Sequence, residues 1–226
     1  MTPIIHDSRP ITLVGGAAFA ESALDAALAI GPGVVAADGG ADAVLRRGLA
    51  PLAVIGDFDS ISDGARAAIP AERQHHIPDQ DSTDFGKCLA LIDAPLILGV
   101  GFTGARPDHE LAALNALVRH PEKRCVLIGE EMVTFLAPPR ISLSLGAGSL
   151  LSLFPLGPVE GWSGGLEWPI RGIPFAADGR IGTSNRVTGP VTLGFDAPRM
   201  LVLVPRAALA EVCARLVSEP SGWSGG

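Results

Sequence analysis

Apolar residues in the first half of the chain occur as short, unbroken runs between Ala- and Leu-rich segments of helical period. Unbroken runs are typical of strands buried on both faces, as in a parallel sheet with crossover helices. The pattern predicts strands at Ile11–Val14, Val34–Ala37, Leu52–Ile55, Leu96–Val100 and Cys125–Ile128, with a short one at His75–Ile77. It predicts helices at Ala17–Ile30, Ala41–Arg47, Asp63–Ile69, Thr83–Ile92 and Asp108–Val118. We therefore predict a parallel-sheet α/β domain over residues 1–136.

After Ala137-Pro138-Pro139 the pattern changes to short alternating segments that are broken by Gly and Pro. Alternation with frequent turns is typical of half-buried antiparallel strands. The predicted strands are Ile141–Leu145, Leu150–Phe154, Leu166–Pro169, Arg180–Thr183, Val191–Leu193 and Met200–Val204, and one helix is predicted at Ala207–Val217. This part predicts a C-terminal antiparallel β-sandwich over residues 140–226, with the double proline as the boundary.

Composition narrows the class of protein. The chain has 226 residues, 47% of them hydrophobic, and a net charge of −7, which argues against a nucleic-acid partner. Its three cysteines are far apart in sequence and form no CxxC pair, so neither a disulfide framework nor a zinc site is expected. The N-terminal residues lack a signal-peptide pattern, and the uncharged stretch Ile141–Val159 is too rich in Ser, Gly and Pro to span a membrane. A cytoplasmic protein is expected.

Acidic residues cluster in two motifs, IGDFDS at Ile55–Ser60 and PDQDSTDFGKC at Pro78–Cys88. Crowded carboxylates repel one another unless a metal ion or a basic side chain lies between them. Lys87 is one of only two lysines in the chain, and it lies one helical turn beyond Asp84. The two motifs together predict a magnesium–phosphate site.

Other polar residues follow the ends of predicted strands, where open parallel sheets bind their ligands. Asp38 follows one predicted strand, and Arg106 and Asp108 follow another. Either aspartate alone is equally well explained as a helix cap. A shared face of one helix is predicted for Gln80, Thr83, Asp84 and Lys87.

Two further motifs compete with this interpretation. Gly99–Gly104 matches the dinucleotide pattern GxGxxG, but the helix after it begins late, so NAD binding is kept only as a minor alternative. Gly161–Gly165 matches the hydrolase pattern GxSxG. No histidine follows Ser163, and the next residues are unsuited to a helix, so a hydrolase is excluded.

Six segments, in this order, resemble the thiamine pyrophosphokinase family: ADGGAD at Ala37–Asp42, IGDFDS, PDQDSTDFGKCL, GFTGARPDHELAALNAL at Gly101–Leu117, GLEW at Gly165–Trp168 and TSN at Thr183–Asn185. The resemblance implies transfer of the pyrophosphoryl group of ATP to the hydroxyl of thiamine, giving thiamine diphosphate and AMP. It also implies a homodimer, with thiamine between the α/β domain of one subunit and the sandwich of the other.

The resemblance also implies roles for individual residues. Asp57, Asp59 and Asp84 match the catalytic acids, and with Asp38 they would hold Mg²⁺. The positions that match ATP and phosphate contacts are Asp38, Gln80, Thr83, Lys87, Arg106 and Asp108. Ser184 and Asn185 match the thiamine side.

The chain departs from the family where an aromatic residue often follows the SN pair, because Val187 stands there. An aromatic wall beside thiamine then either comes from one of the tryptophans, Trp162, Trp168 or Trp223, or is absent. We take Trp168 as the candidate, against the alternative that it is a core residue of the sandwich. Two alternative functions are a pyrophosphokinase for another small alcohol, such as a hydroxymethylpterin, and a non-catalytic nucleotide or thiamine-diphosphate sensor.

Overall fold

The computed structural model describes residues 2–79, 81–219 and 222–223, and shows a protein of the mixed α/β class. The chain forms two compact units. One comprises the chain up to Ala116 together with Leu127–Glu130, and the other comprises Leu117–Val126 and the chain from Glu131 onward. The functional division into residues 1–136 and 140–226 stays a prediction.

The first unit alternates strands and helices, as the apolar runs predicted. Its strands, including one at the junction of the units, are β1 (Ile5–His6), β2 (Ile11–Val14), β3 (Gly33–Ala37), β4 (Ala53–Gly56), β5 (Gln74–His76), β6 (Ile92–Asp93), β7 (Ile97–Val100) and β8 (Cys125–Ile128). Its helices are α1 (Glu21–Ile30), α2 (Gly40–Arg46), α3 (Asp63–Ala68), α4 (Asp84–Leu91) and α5 (Pro107–Arg119). A short 3₁₀ turn at Ala71–Arg73 precedes β5.

Five strands of this unit pair in parallel, in the order β5-β4-β3-β2-β7, and β8 lies next to β7. The chain runs outward from β2 to β5 and then returns to the other side of β2 at β7. Such a reversal of strand order opens a crevice beyond the carboxyl ends of the central strands. All residues of β2 and β4 are buried, so these strands form a rigid base for the loops that follow them.

One helix of this unit begins later than predicted. The Ala17–Ile30 prediction is wrong at its start, because α1 begins at Glu21. The backbone N–H of Ala17 donates to the carbonyl of Gly101 at 3.1 Å, so the chain first passes along the neighbouring loop and only then turns into a helix. The parallel pair β1–β6 was not predicted, since two residues carry no periodic signal.

The second unit is antiparallel. Its elements are β9 (Met132–Leu136), β10 (Arg140–Leu143), β11 (Leu150–Pro155), β12 (Gly161–Leu166), β13 (Thr183–Phe195), β14 (Met200–Pro205), a 3₁₀ turn (Arg206–Ala208) and α6 (Leu209–Ser218). β14 pairs with β9 and β11, and the long β13 pairs with β10, β11 and β12. The sandwich layout of this unit stays a prediction.

Three strand predictions in this unit need correction. The Leu166–Pro169 prediction is wrong, because the strand there is β12 and ends at Leu166. The Arg180–Thr183 prediction is wrong for its first three residues, because β13 begins at Thr183, and the Val191–Leu193 prediction is one part of this longer strand. A Cβ on Gly161 would lie 2.5 Å from the carbonyl oxygen of Gly194, so the glycines that suggested a turn instead allow two strands to approach closely.

The helices of the described residues are short. Among them, none is long and apolar enough to cross a membrane.

Candidate active site

A group of acidic side chains lies at the carboxyl ends of β3 and β4. Asp38 directly follows β3, and Asp57 and Asp59 follow β4. Oxygen atoms of these three carboxylates lie within 4.8 Å of one another. The predicted convergence of strand-end acids is therefore confirmed for these residues.

The acid group depends on an unusual backbone conformation at Phe58. This residue lies between Asp57 and Asp59 and has φ of 63°, a region that side chains other than glycine seldom adopt. Its ring contacts the ring of His76, with 5.4 Å between centroids, and the guanidinium of Arg66 lies 5.2 Å from the centroid of the Phe58 ring. These contacts stabilise the left-handed conformation of Phe58, and this conformation allows the carboxylates of Asp57 and Asp59 to lie in the same acid group.

Asp38 is the most constrained of the acids. It is 3% exposed and also has positive φ, 42°. One oxygen, Oδ2, accepts from the backbone N–H of Ser60 at 3.0 Å, whereas Oδ1 is buried and finds no donor within the described residues. The pKa of Asp38 is raised to about 6, chiefly by burial. The Ser60 hydrogen bond acts to lower this pKa, whereas the carboxylates of Asp59 and Asp84 act to raise it.

The donor set of this acid group fits a hard divalent cation. Mg²⁺ prefers oxygen ligands and is commonly bound through one or two carboxylates. A buried carboxylate oxygen without a donor, such as Oδ1 of Asp38, is costly unless a cation compensates it. Asp38, Asp57 and Asp59 are therefore the residues that would hold the ion.

Lys87 supplies a fixed positive charge beside the acid group. Its side chain is 1% exposed, and its Nζ lies 3.0 Å from Oδ1 of Asp84 and 3.6 Å from Oδ2 of Asp57. Burial acts to lower the pKa of Lys87, but the hydrogen bond and charge of Asp84, together with Asp57, raise it overall. Lys87 is thus a charged ammonium at the site.

Asp84 occupies a different place from the other acids. It lies in the first turn of α4, where Thr83 caps the helix by accepting from the N–H of Gly86 at 3.2 Å. Its carboxylate faces Lys87 and is not among the three that converge. The direct contact of Asp84 with a metal stays a prediction, as does the role of Gln80, which lies outside the described residues.

The acids and Lys87 line a cleft of about 1260 Å³ that lies within the first unit. Loops after β2 and β7 form part of its wall, and these loops approach closely. A Cβ on Gly101, whose φ is 79°, would lie 2.6 Å from the carbonyl oxygen of Gly15. Gly101, the central glycine of the Gly99–Gly104 pattern, thus allows the close approach of these two loops.

Arg106 and Asp108 lie at the entrance to α5 and pair with each other. The guanidinium of Arg106 donates to both carboxylate oxygens of Asp108, at 3.2 and 2.5 Å, and both side chains are largely exposed. Hydrogen bonding to Arg106 lowers the pKa of Asp108 to about 2. Arg106 also lines the cleft, so its charge faces the same space as the acid group.

Sequence reasoning missed several residues that line the cleft. They are Gly15, Gly16, Ser60, Phe102, Arg46, Arg47 and His109. The glycine pair directly follows a buried strand, which is a signal for close approach of a ligand to the backbone. Arg46 and Arg47 carried no such signal, because exposed arginines at a helix end are common.

The predicted thiamine residues lie in the second unit. Trp168 is 52% exposed, so the alternative that it is a core residue is wrong. Val187 is 1% exposed and therefore presents no surface for stacking. Ser184 is exposed on β13, whereas Asn185 beside it is buried.

The raised pKa of Asp38 predicts a pH effect on stability in the metal-free chain. The folded chain holds this proton more tightly than the unfolded chain, so the free energy of unfolding falls as pH rises from about 4 through about 6. Asp38→Asn keeps an acceptor for Ser60 and removes the charge. Denaturant unfolding in the presence of a chelator measures the free energy of unfolding of this variant and of the parent. We expect the difference between the two, variant minus parent, to be about 1–3 kcal/mol larger at pH 7 than at pH 4.

Asp42 provides the matched control for this pH effect. A hydrogen bond from Ser62 lowers the pKa of Asp42, so its stabilising contribution is present above its ordinary pKa and is lost as pH falls. Asp42→Asn should therefore lose stability at pH 7 relative to low pH. If the free energy of unfolding changed equally with pH in the Asp38→Asn variant and in the parent, the raised pKa of Asp38 would be wrong.

Comparisons with known proteins identify what the chain is similar to. A family model described as the catalytic domain of thiamin pyrophosphokinase matches residues 29–128. Thiamine pyrophosphokinase 1 of Arabidopsis thaliana is 33% identical over 48% of the chain, and the chain spans about half, 47%, of that relative's length. Thiamine pyrophosphokinase 1 of Oryza sativa subsp. japonica is 30% identical over 68% of the chain and 71% of its own length.

The fold has solved counterparts as well. A thiamin pyrophosphokinase from Geobacillus thermodenitrificans superposes with a TM-score of 0.71 at 21% identity, covering 87% of this chain and 96% of the other. At this identity the likeness concerns the fold. The matches favour neither the pterin kinase nor the sensor that the sequence left open.

Proposed function

We infer an activity from one premise: the chain belongs to the thiamine pyrophosphokinase family. We propose that it transfers the pyrophosphoryl group of ATP to the hydroxyl of thiamine, which gives thiamine diphosphate and AMP. The observation that supports this most strongly is the pairing of three converging carboxylates with a buried, charged lysine in one cleft. Phosphoryl-group transfer needs such positioning and charge neutralisation more than covalent chemistry.

The acid group is proposed to bind magnesium. Asp38, Asp57 and Asp59 would hold the ion, which supplies positive charge to the phosphate oxygens of ATP when bound. Lys87 donates from Nζ to a phosphate oxygen, and its carboxylate partners keep it charged. A carboxylate of the group accepts the proton that the attacking hydroxyl loses.

The remaining residues of the cleft are proposed to hold the nucleotide. Arg106 lines the cleft with an exposed guanidinium, which can bind phosphate oxygens through two parallel hydrogen bonds. Asp108 fixes the orientation of Arg106 through their pair. The hydroxyl of Thr83 accepts from the helix start and keeps its own proton for a phosphate oxygen. By family position we keep Gln80 as a phosphate-side residue and Asp84 as a catalytic and metal-binding residue.

The thiamine side is proposed to come from the antiparallel unit, arranged as a β-sandwich, of a second subunit. Exposed Ser184 offers a hydroxyl, and Trp168 offers a flat ring face for the thiazolium or aminopyrimidine. This unit also leaves large apolar side chains exposed, at Leu150, Phe154 and Ile181. Such a surface is typical of one that is covered by another chain.

A shared site predicts that two inactive chains complement each other. Asp57→Asn disables the acid group, and Ser184→Trp places a bulky ring at the thiamine position. Equal amounts of the two, co-refolded, form mixed dimers in which one of two sites is intact. We expect about one quarter of the parent activity, because half of the dimers are mixed.

The control for complementation is Asp57→Asn mixed with the double variant Asp57→Asn/Ser184→Trp, which provides no intact pairing. Activity in the first mixture that stays at the level of this control would show that each chain builds its site alone.

The activity itself is tested by AMP formation from ATP and Mg²⁺ with thiamine or with a hydroxymethylpterin as the alcohol. We expect AMP and thiamine diphosphate in equal amounts with thiamine, and background AMP with the pterin. AMP release that depends on the pterin and not on thiamine would overturn the substrate assignment.

A further inference from the structure

The side-chain amide of Asn185 is fully engaged inside the protein. It is 1% exposed. Its Oδ1 accepts from the backbone N–H of Trp168 at 3.1 Å and from that of Arg186 at 2.9 Å, and its Nδ2 donates to the carbonyl of Trp168 at 2.7 Å. A primary amide has two donor hydrogens and two acceptor sites, so both acceptor sites and one donor are already in use. Little of this side chain is left for a ligand.

These bonds hold the backbone of Trp168, whose side chain is 52% exposed. The backbone N–H and C=O of Trp168 both form hydrogen bonds with the side-chain amide of Asn185, which takes the place that a neighbouring strand has in a sheet. The preceding residue, Glu167, is tied to Arg186 by its N–H at 2.9 Å and by an ion pair at 3.4 Å. The segment that follows is fixed where the N–H of Ile170 donates to Ser163 Oγ at 3.2 Å.

The rigid backbone contrasts with the free ring of Trp168. Trp162 lies under the guanidinium of Arg140 at 5.4 Å, and Trp223 donates its ring N–H to Ala137 at 2.8 Å. In the described part of the chain, the ring of Trp168 has no such aromatic or cation contact and is 52% exposed. An exposed tryptophan on an immobilised backbone is suited to receive a flat partner with a small loss of entropy.

We propose that Asn185 is a positioning residue that acts through Trp168 and does not itself touch thiamine. The proposal rests on the proposed function and changes the role that family position implied for Asn185. The amide fixes the backbone of Trp168, and this sets the direction in which the indole meets the thiamine ring. Loss of the amide should therefore loosen the indole and weaken the binding of thiamine, while the binding of ATP is unaffected.

Tryptophan fluorescence tests the positioning without any substrate. In a chain carrying Trp162→Phe and Trp223→Phe, emission comes from Trp168 alone, since the sequence contains three tryptophans. Asn185→Ala should lower the anisotropy of that emission and increase its quenching by acrylamide. Val191→Ala, which truncates a buried side chain on the same strand, is the matched control for general destabilisation and should leave both readouts unchanged.

A double-mutant cycle tests whether Asn185 acts through Trp168. We expect Asn185→Ala to raise the thiamine KM about tenfold with an unchanged ATP KM, and Trp168→Leu to do the same. The double variant should have nearly the same thiamine KM as either single variant, because both substitutions remove the same contact between the indole of Trp168 and thiamine. Val191→Ala should leave the thiamine KM near the parent value.

The outcomes separate the positioning role from the proposed function. Additive effects on the thiamine KM would overturn the proposal, since they would show a contact of Asn185 with thiamine. Unchanged anisotropy in Asn185→Ala would overturn it as well. A loosened Trp168 in a chain without thiamine-dependent turnover would contradict the proposed function and the thiamine role, but would retain the structural link between the two residues.

Discussion

Asp57→Asn and Asp59→Asn are each expected to lower turnover by about a hundredfold or more, because each removes charge that would hold the ion against the transferred group. Both should remain folded. Asp59 lies close enough to Asp38 for their carboxylates to influence each other's pKa. The amide introduced by Asp59→Asn can donate to the oxygen of Asp38 that finds no partner in the described residues. The melting temperature of this variant in a chelator should therefore equal or exceed that of the parent.

Asp63→Asn is the matched control for both substitutions. Asp63 is exposed at the start of α3, a few residues beyond the acid group, and does not line the cleft. Its variant should keep the parent's turnover and stability. If Asp57→Asn and Asp59→Asn turned over as fast as Asp63→Asn, the acid group would be a structural feature and the proposed chemistry would be wrong.

Lys87→Met is expected to lower turnover by a similar factor of about a hundred and to raise the KM for ATP. The ammonium is buried between Asp57 and Asp84, and methionine keeps the length of the side chain while removing its charge. The two carboxylates would then repel phosphate instead of holding a donor for it. Steady-state kinetics at varied ATP concentration measure both effects.

Two variants separate charge from packing at Lys87. Lys123→Met removes the only other lysine and should leave turnover unchanged. Cys88→Ala truncates a fully buried neighbour in α4 and should lower the melting temperature with nearly normal kinetics. Equal kinetic damage from Lys87→Met and Cys88→Ala would show that α4 matters for folding and not for phosphate.

The parallel sheet was predictable because its signal is local. The residues of β2 and β8 match their apolar runs residue for residue, and β3, β4 and β7 match within one residue. Burial on both faces makes such runs continuous, so they are visible without knowledge of their partners. The acids at the ends of β3 and β4 were placed correctly for the same reason, since their position follows from the strands.

The antiparallel unit was less predictable because its strands depend on distant partners. β9 pairs with β14, far along the chain, and carries no alternation that marks it as a strand. β13 continues through Gly189 and Pro190, which ordinarily interrupt a strand. Residues that look like turns in sequence therefore form strands where two backbones must approach closely.

The site was predicted in its chemistry more than in its detailed contacts. Identity and spacing placed Lys87 near Asp84, one helical turn away, and the structure confirms the contact. The engagement of Asn185 had no sequence signal, because its partner Trp168 lies seventeen residues earlier and reaches it only through the pairing of β12 with β13. Hydrogen bonds that depend on tertiary pairing are invisible to local patterns.

We propose that both terminal phosphates of ATP move together to thiamine as one pyrophosphoryl group. ATP labelled with radioactive phosphorus at the β position, incubated with Mg²⁺, thiamine and the protein, tests this claim directly. We expect the label to appear in thiamine diphosphate and the AMP formed to be unlabelled. Label retained in ADP, with thiamine monophosphate as the other product, would contradict it.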